Sequence, residues 1–173
     1  MQQLAVKIRP QNLDEFVGQT HLVGPDKPLR IAVQKKHIFS FILWGPPGVG
    51  KTTLARIYAQ AINADYHELS AVSASKDDIR SLVEPNKKNL SIDQPDFRSL
   101  DEVGRSKVLF LDEIHRFNKA QQDFLLPYVD TGHLILIGAT TENPSFEVIP
   151  ALLSRCRVFT LKELSAEEIG QII

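Results

Sequence analysis

Apolar residues along this 173-residue chain fall into two rhythms. Three short, nearly unbroken runs at 39–44, 108–111 and 134–139 have the length and density of strands covered on both faces of a parallel sheet. Between them, apolar positions recur at helical spacing, which predicts helices at 28–36, 52–61, 77–84 and 117–129, with Ser75 as a cap for the third. Weaker strand signals at 66–70 and 158–161 bring the expected sheet to five strands. The rhythm fails across 85–106, where Pro85, Pro95, Gly104 and many polar residues predict an irregular excursion. Such a segment suits a loop facing DNA or a protein, and equally a surface insertion with no role of its own. The alternation of strand and helix gives an α/β fold with three layers.

The first buried run feeds directly into Gly45-Pro46-Pro47-Gly48-Val49-Gly50-Lys51-Thr52-Thr53. Three glycines in that stretch allow the backbone to approach a polyphosphate and turn N–H groups toward it, and the following helix offers its positive end to the same anion. Lys51 suits the β- and γ-phosphates of ATP or the β-phosphate of ADP, and the Thr52 hydroxyl suits Mg²⁺. Pro46 to Thr53 are therefore the candidate cofactor-binding residues.

The second run ends in Asp112-Glu113, 61 residues after Lys51. That separation leaves room for a helix, a strand and another helix. Carboxylates at the carboxyl end of a buried parallel strand sit where open α/β sheets bind ligands. Asp112 is a candidate for holding Mg²⁺, and Glu113 for polarising the water that attacks the γ-phosphate. The third run ends in Thr140-Thr141, whose hydroxyls could reach the same edge or simply end the strand before the turn at Glu142-Asn143-Pro144. Pro150 opens a short helix whose C-terminal end carries Arg155, a favourable partner for the helix dipole in any fold.

Taken in order, these motifs and the strings Asp112-Glu113-Ile114-His115-Arg116-Phe117-Asn118-Lys119 and Gly138-Ala139-Thr140-Thr141-Glu142-Asn143-Pro144-Ser145-Phe146-Glu147 resemble the AAA+ ATPases of the clamp-loader and Holliday-junction-motor branch. Within that branch they resemble the replication-associated recombination protein A family. The resemblance runs from Arg9-Pro10 to Leu161. It implies that Thr141, with Thr140 as a rival, senses the γ-phosphate or orients water, and that Arg155 in Ser154-Arg155-Cys156 enters a neighbouring subunit's site. It also implies that Ile8-Arg9-Pro10 and Phe16-Val17-Gly18-Gln19 pack on adenine, so Val17 and Gly18 join the cofactor-binding set. The family continues into a helical lid and oligomerisation domains. By that similarity, residues 1–163 are a nucleotide-binding domain and 164–173, opened by the capping box Ser165-Ala166-Glu167-Glu168, start a truncated lid. Such a fragment is expected to bind nucleotide weakly, to stay mostly monomeric and to turn over little ATP. The whole protein is expected to be a homo-oligomer acting on single-stranded, gapped or forked DNA with replication-fork proteins.

Composition changes this picture little. The formal net charge of −1 gives no independent sign of nucleic acid. The first 60 residues hold eight Lys/Arg against three Asp/Glu, which leaves Lys27, Arg30, Lys35 and Lys36 as either a DNA-facing patch or a solvated helix face. Cys156 is the only cysteine, which excludes an internal disulfide, fits a reducing cytoplasm, and suits a small buried residue. No apolar run approaches the ~20 residues that cross a membrane, and the five histidines lack zinc-ligand spacing.

Alternative readings are a clamp-loader or branch-migration subunit, a superfamily-2 helicase core, and an ATP-binding switch with little turnover. The helicase would need a second RecA-like domain. Glu113 and Arg155 together argue against the switch. A guanine-specific site is disfavoured because Asn118-Lys119-Ala120-Gln121 lacks the acid that reads guanine.

Overall fold

The computed structural model describes residues 8–83 and 105–173. Strands β1 (Ser40–Trp44), β2 (Asp65–Ser70), β3 (Lys107–Asp112), β4 (Ile135–Thr140) and β5 (Cys156–Thr160) form one parallel sheet in the order β2-β3-β4-β1-β5. The three dense apolar runs became the three inner strands, since only an inner strand is covered on both faces and flanked on both edges. The mixed sequences of β2 and β5 lie at the edges.

Alternation along the strands divides the core in two. Phe41, Leu43, Val108 and Phe110 face the Lys51–Ala61 helix, which contributes Leu54, Ile57 and Tyr58. Ile42, Leu109, Leu111 and Leu136 face the opposite layer and pack with Leu125 of the Lys119–Asp130 helix and Leu152 of the Pro150–Leu153 helix. Truncating a buried leucine such as Leu136 to alanine would cost about 2–5 kcal/mol. Tyr58 is held twice: its ring meets Phe41 edge-on at 5.0 Å, and its hydroxyl donates to the His37 carbonyl at 2.6 Å.

Local chemistry explains where helix boundaries moved. The helix expected at 117–129 runs from Lys119 to Asp130, and a 3₁₀ turn at Ile114–Arg116 precedes it. Asn118 and Gln121 exchange side chain to backbone hydrogen bonds, both 2.9 Å, and this capping box starts the helix after Phe117. Ser75 caps the Lys76–Val83 helix through the same exchange with Asp78. The capping box at Ser165 and Glu168 opens the Ala166–Ile172 helix. Short helices also form at Thr20–Val23, which no pattern announced, and at Pro144–Glu147, directly after the turn expected at Glu142-Asn143-Pro144. β5 starts at Cys156, two residues before the expected 158–161 run, because its backbone pairs with β1 whatever its side chains face. Most of the 85–106 excursion lies outside the described residues. Arg30 leaves the basic group: its Nε donates to the Val23 carbonyl and it pairs with Asp14 at 2.9 Å.

Candidate nucleotide site

β1 and β4 are in register at Trp44 and Thr140, and the Gly45 N–H donates to the Thr140 carbonyl at 3.1 Å. The chain then leaves the sheet into the loop. At Gly45 a Cβ would sit 2.8 Å from the Leu161 carbonyl oxygen, so the turn has no room for a side chain. Gly50, at φ 101°, precedes the first helical residue, Lys51. The Lys51 ammonium donates to the carbonyls of Gly45 (2.5 Å) and Pro46 (2.9 Å), which pins the loop over its own lysine. Burial lowers the Lys51 pKa, and the nearby Asp112 charge acts in the opposite direction.

Asp112 closes β3 and accepts the Glu113 N–H on Oδ1 at 3.0 Å. Glu113 adopts φ 54°, left-handed for a residue with a Cβ, at a cost of about 1–2 kcal/mol. What holds it there is Ile114, fully buried over β4. Gly138 makes that approach possible, because a Cβ at Gly138 would lie 2.9 Å from Ile114 Cδ1. A glycine in the middle of a strand thus fixes the turn that presents Glu113.

The two threonines that the sequence could not separate differ in surroundings. Thr140 is buried, its hydroxyl hydrogen-bonded to His115 Nδ1 (2.9 Å) and accepting the Glu142 N–H (2.9 Å). Thr141 is exposed. Both line a cleft of about 720 Å³ together with residues 47–53, Asp112 and Glu113. Lys51, Thr52, Thr53, Asp112, Glu113 and Thr141 therefore open into one space. Pro46 and Gly18 are not among its lining residues. Pro46 offers its carbonyl to Lys51, and Gly18, at φ 84°, packs on Leu164, whose Cδ2 would be 2.6 Å from an added Cβ.

The rest of the lining comes from the two ends of the described chain, residues 8–10 and 15–17 together with Leu164, Gln171 and Ile172. The buried Gln19 side chain ties these ends together. It donates to the Lys162 carbonyl (2.7 Å) and accepts the Lys162 N–H (2.9 Å). The capping box at Ser165 announced the last helix but not that it would turn back over the cleft, so Leu164, Gln171 and Ile172 were missed. His115 was also missed, since a lone histidine after an acidic pair carries no signal of its partner.

Arg155 is exposed and is not among the residues lining this cleft. Its Nε pairs with Asp130 and its Nη1 donates to the Ala151 carbonyl at 2.6 Å. Cys156 beside it is half-buried rather than fully buried, and burial pushes its thiol up to about 11. Among the described residues no helix is long and apolar enough to cross a membrane.

Comparison with known proteins agrees with this geometry. Residues 41–164 match the model of the ATPase family associated with various cellular activities (AAA). The chain is 51% identical over 98% of its length to replication-associated recombination protein A of Haemophilus influenzae, and 48% identical over 99% to that of Escherichia coli K12. It spans 36% of the length of each of these relatives. Among solved structures, the RuvB Holliday junction branch migration motor of Thermotoga maritima aligns with 95% of this chain and 52% of its own, at a TM-score of 0.68 and 30% identity.

Proposed function

The chain belongs to the AAA family of ATPases, and on that premise we propose that it is the nucleotide-binding domain of a protein that hydrolyses ATP to remodel DNA or the replication machinery at stalled or gapped forks. The observation that carries this reading is the convergence of Lys51, Thr52, Asp112, Glu113 and Thr141 on one cleft at the carboxyl edge of the sheet. Support for the DNA half comes from the relatives, which are named for replication-associated recombination and for branch migration. Residues 1–163 form the domain, and 164–173 begin a helical lid.

Each residue has work that its surroundings suit. The loop 45–50 bends tightly enough for backbone N–H groups to cradle phosphates, and Lys51 exchanges its contacts with Gly45 and Pro46 for the β- and γ-phosphates. Thr52 and Asp112 fit Mg²⁺: both line the cleft, and Asp112 has one oxygen committed to Glu113 N–H and another to offer. That ion would neutralise phosphate charge when bound. Glu113, held on its strained turn, accepts a proton from the attacking water at its carboxylate. Thr141 orients that water, while Thr140 secures the strand end through His115. Residues 8–10 and 16–18 form the adenine side, with Val17 in the wall and Gly18 letting the segment close on Leu164. Arg155 stands outside its own cleft and serves a neighbouring subunit, so turnover requires a homo-oligomer. The protein acts in the cytoplasm at the nucleoid.

The test is ATP turnover of the whole protein with single-stranded, forked and gapped duplex DNA. Stimulation by forks or gaps is expected. Turnover indifferent to every DNA would overturn the DNA half of the reading and leave the ATPase half standing.

A further inference from the structure

Asp130 is the last residue of the Lys119–Asp130 helix, where the helix dipole disfavours a carboxylate. Its partner is Arg155, 25 residues further along and two residues beyond the Pro150–Leu153 helix. The guanidinium gives Nε to Asp130 and Nη1 to the Ala151 carbonyl at 2.6 Å, so it is held from two of its edges while Nη2 stays uncommitted among the described residues. The pair is exposed, with 36% of the Arg155 side chain and 48% of the Asp130 side chain accessible. Exposed pairs add little to stability. A stability role therefore does not account for a carboxylate at an unfavourable helix end.

We propose that Asp130 is a positioning residue for Arg155, gripping its Nε so that Nη2 of the guanidinium is presented ready-aimed to the polyphosphate of a neighbouring subunit. This rests on the reading of Arg155 as a group acting in trans. An arginine on an exposed turn samples many rotamers, and each must be abandoned when it stabilises charge on a transferring phosphoryl group. Fixing the side chain beforehand removes that loss from the reaction. Bonds from two different nitrogens suit the job, because they fix the plane of the guanidinium and leave the N–H groups of Nη2 for phosphate oxygens.

The experiment compares kcat, KM for ATP and melting temperature for Asp130→Ala, Asp130→Glu, Arg155→Ala and the double variant in the whole protein. Asp130→Ala is expected to lower kcat about 10- to 100-fold, the scale of catalytic misalignment, with KM, assembly and melting temperature unchanged. Asp130→Glu, which keeps the carboxylate, is expected to recover most of that loss. In the Arg155→Ala background, removing Asp130 is expected to do nothing more. A normal kcat in Asp130→Ala alongside a crippled Arg155→Ala overturns the proposal. So does an additive loss in the double variant, which would mean that Asp130 acts elsewhere, or a raised kcat, which would mean that it sequesters the guanidinium. If Arg155→Ala itself turns over normally, it is the reading of Arg155 that fails, and the proposal falls with it.

Discussion

The ring of Phe16 lies against the backbone of Gly50, where an added Cβ would come within 2.6 Å of the ring's Cζ. The segment proposed to meet adenine and the loop proposed to meet phosphate are thus one packed joint. Gly50→Ala meets two penalties there, the left-handed backbone at φ 101° and the overlap with Phe16. The backbone part alone is about 1–2 kcal/mol. ATP affinity and melting temperature are both expected to fall, and a Phe16→Ala background should relieve part of the loss. Equal losses in the two backgrounds, read by calorimetry, would show that the joint does not matter.

Lys51 carries a pH signature. Its ammonium has an ordinary value of 10.5 in an unfolded chain, and burial lowers it in the folded one, with Asp112 opposing. Below the folded value both states hold the proton and the cost of burying the charge is present in full. As pH rises from the folded value toward 10.5, the unfolded chain holds more protons, so the nucleotide-free protein gains stability. Phosphates favour the ammonium form, so ATP binding in that window should take up a proton. Titration calorimetry in buffers of different ionisation enthalpy measures this, and Lys51→Met should abolish both the uptake and the gain. Lys51→Ala should remove useful ATP affinity altogether.

Glu113→Gln retains shape and loses the anionic base. Binding of ATP should persist while single-turnover hydrolysis slows by at least ~100-fold, within the span of general-base effects. Weak binding with normal turnover of each bound ATP would contradict the role.

Arg155→Ala should leave ATP binding near normal and cut turnover of the whole protein by roughly 10³-fold, the lower end for arginine fingers. Mixing it with Glu113→Gln subunits pairs an intact Glu113 with an intact Arg155 at some interfaces. Activity should return in the mixture. Continued inactivity after confirmed subunit exchange would make Arg155 a helix-end structural residue.

With its thiol pushed up to about 11, Cys156 should be scarcely ionised at neutral pH. Alkylation by iodoacetamide should climb about tenfold for each pH unit until near 11, whereas an ordinary thiol levels off near 8.5. A plateau by about pH 9 would show that the thiol is not desolvated.

The five strands, the burial of the three apolar runs and the placing of Lys51 and Asp112 at one sheet edge were legible because each rests on local pattern: density of apolar residues, glycines before a lysine, acids at a strand end; the strand order was not. What was not legible depends on long-range packing. Nothing near Gly138 reveals that Ile114 sits over it, and nothing in Thr140-Thr141 tells which hydroxyl His115 engages. The cleft lining at Leu164, Gln171 and Ile172 depends on the direction of a helix whose start alone was written in a capping motif.

The tie between Gln19 and Lys162 joins residues 143 positions apart. A chain made from its N-terminus therefore displays Gln19 with neither of these backbone partners until the last strand has been synthesised. Contacts of such separation carry a large loop-closure cost and are characteristic of slow steps. The phosphate loop and its helix are contiguous, and the loop's first bond to a distant strand, Gly45 N–H to the Thr140 carbonyl, becomes available before Lys162 is made. During synthesis, then, the segment proposed to meet the base, although it comes first in the chain, is tied down after the loop proposed to meet phosphate has found its strand partner.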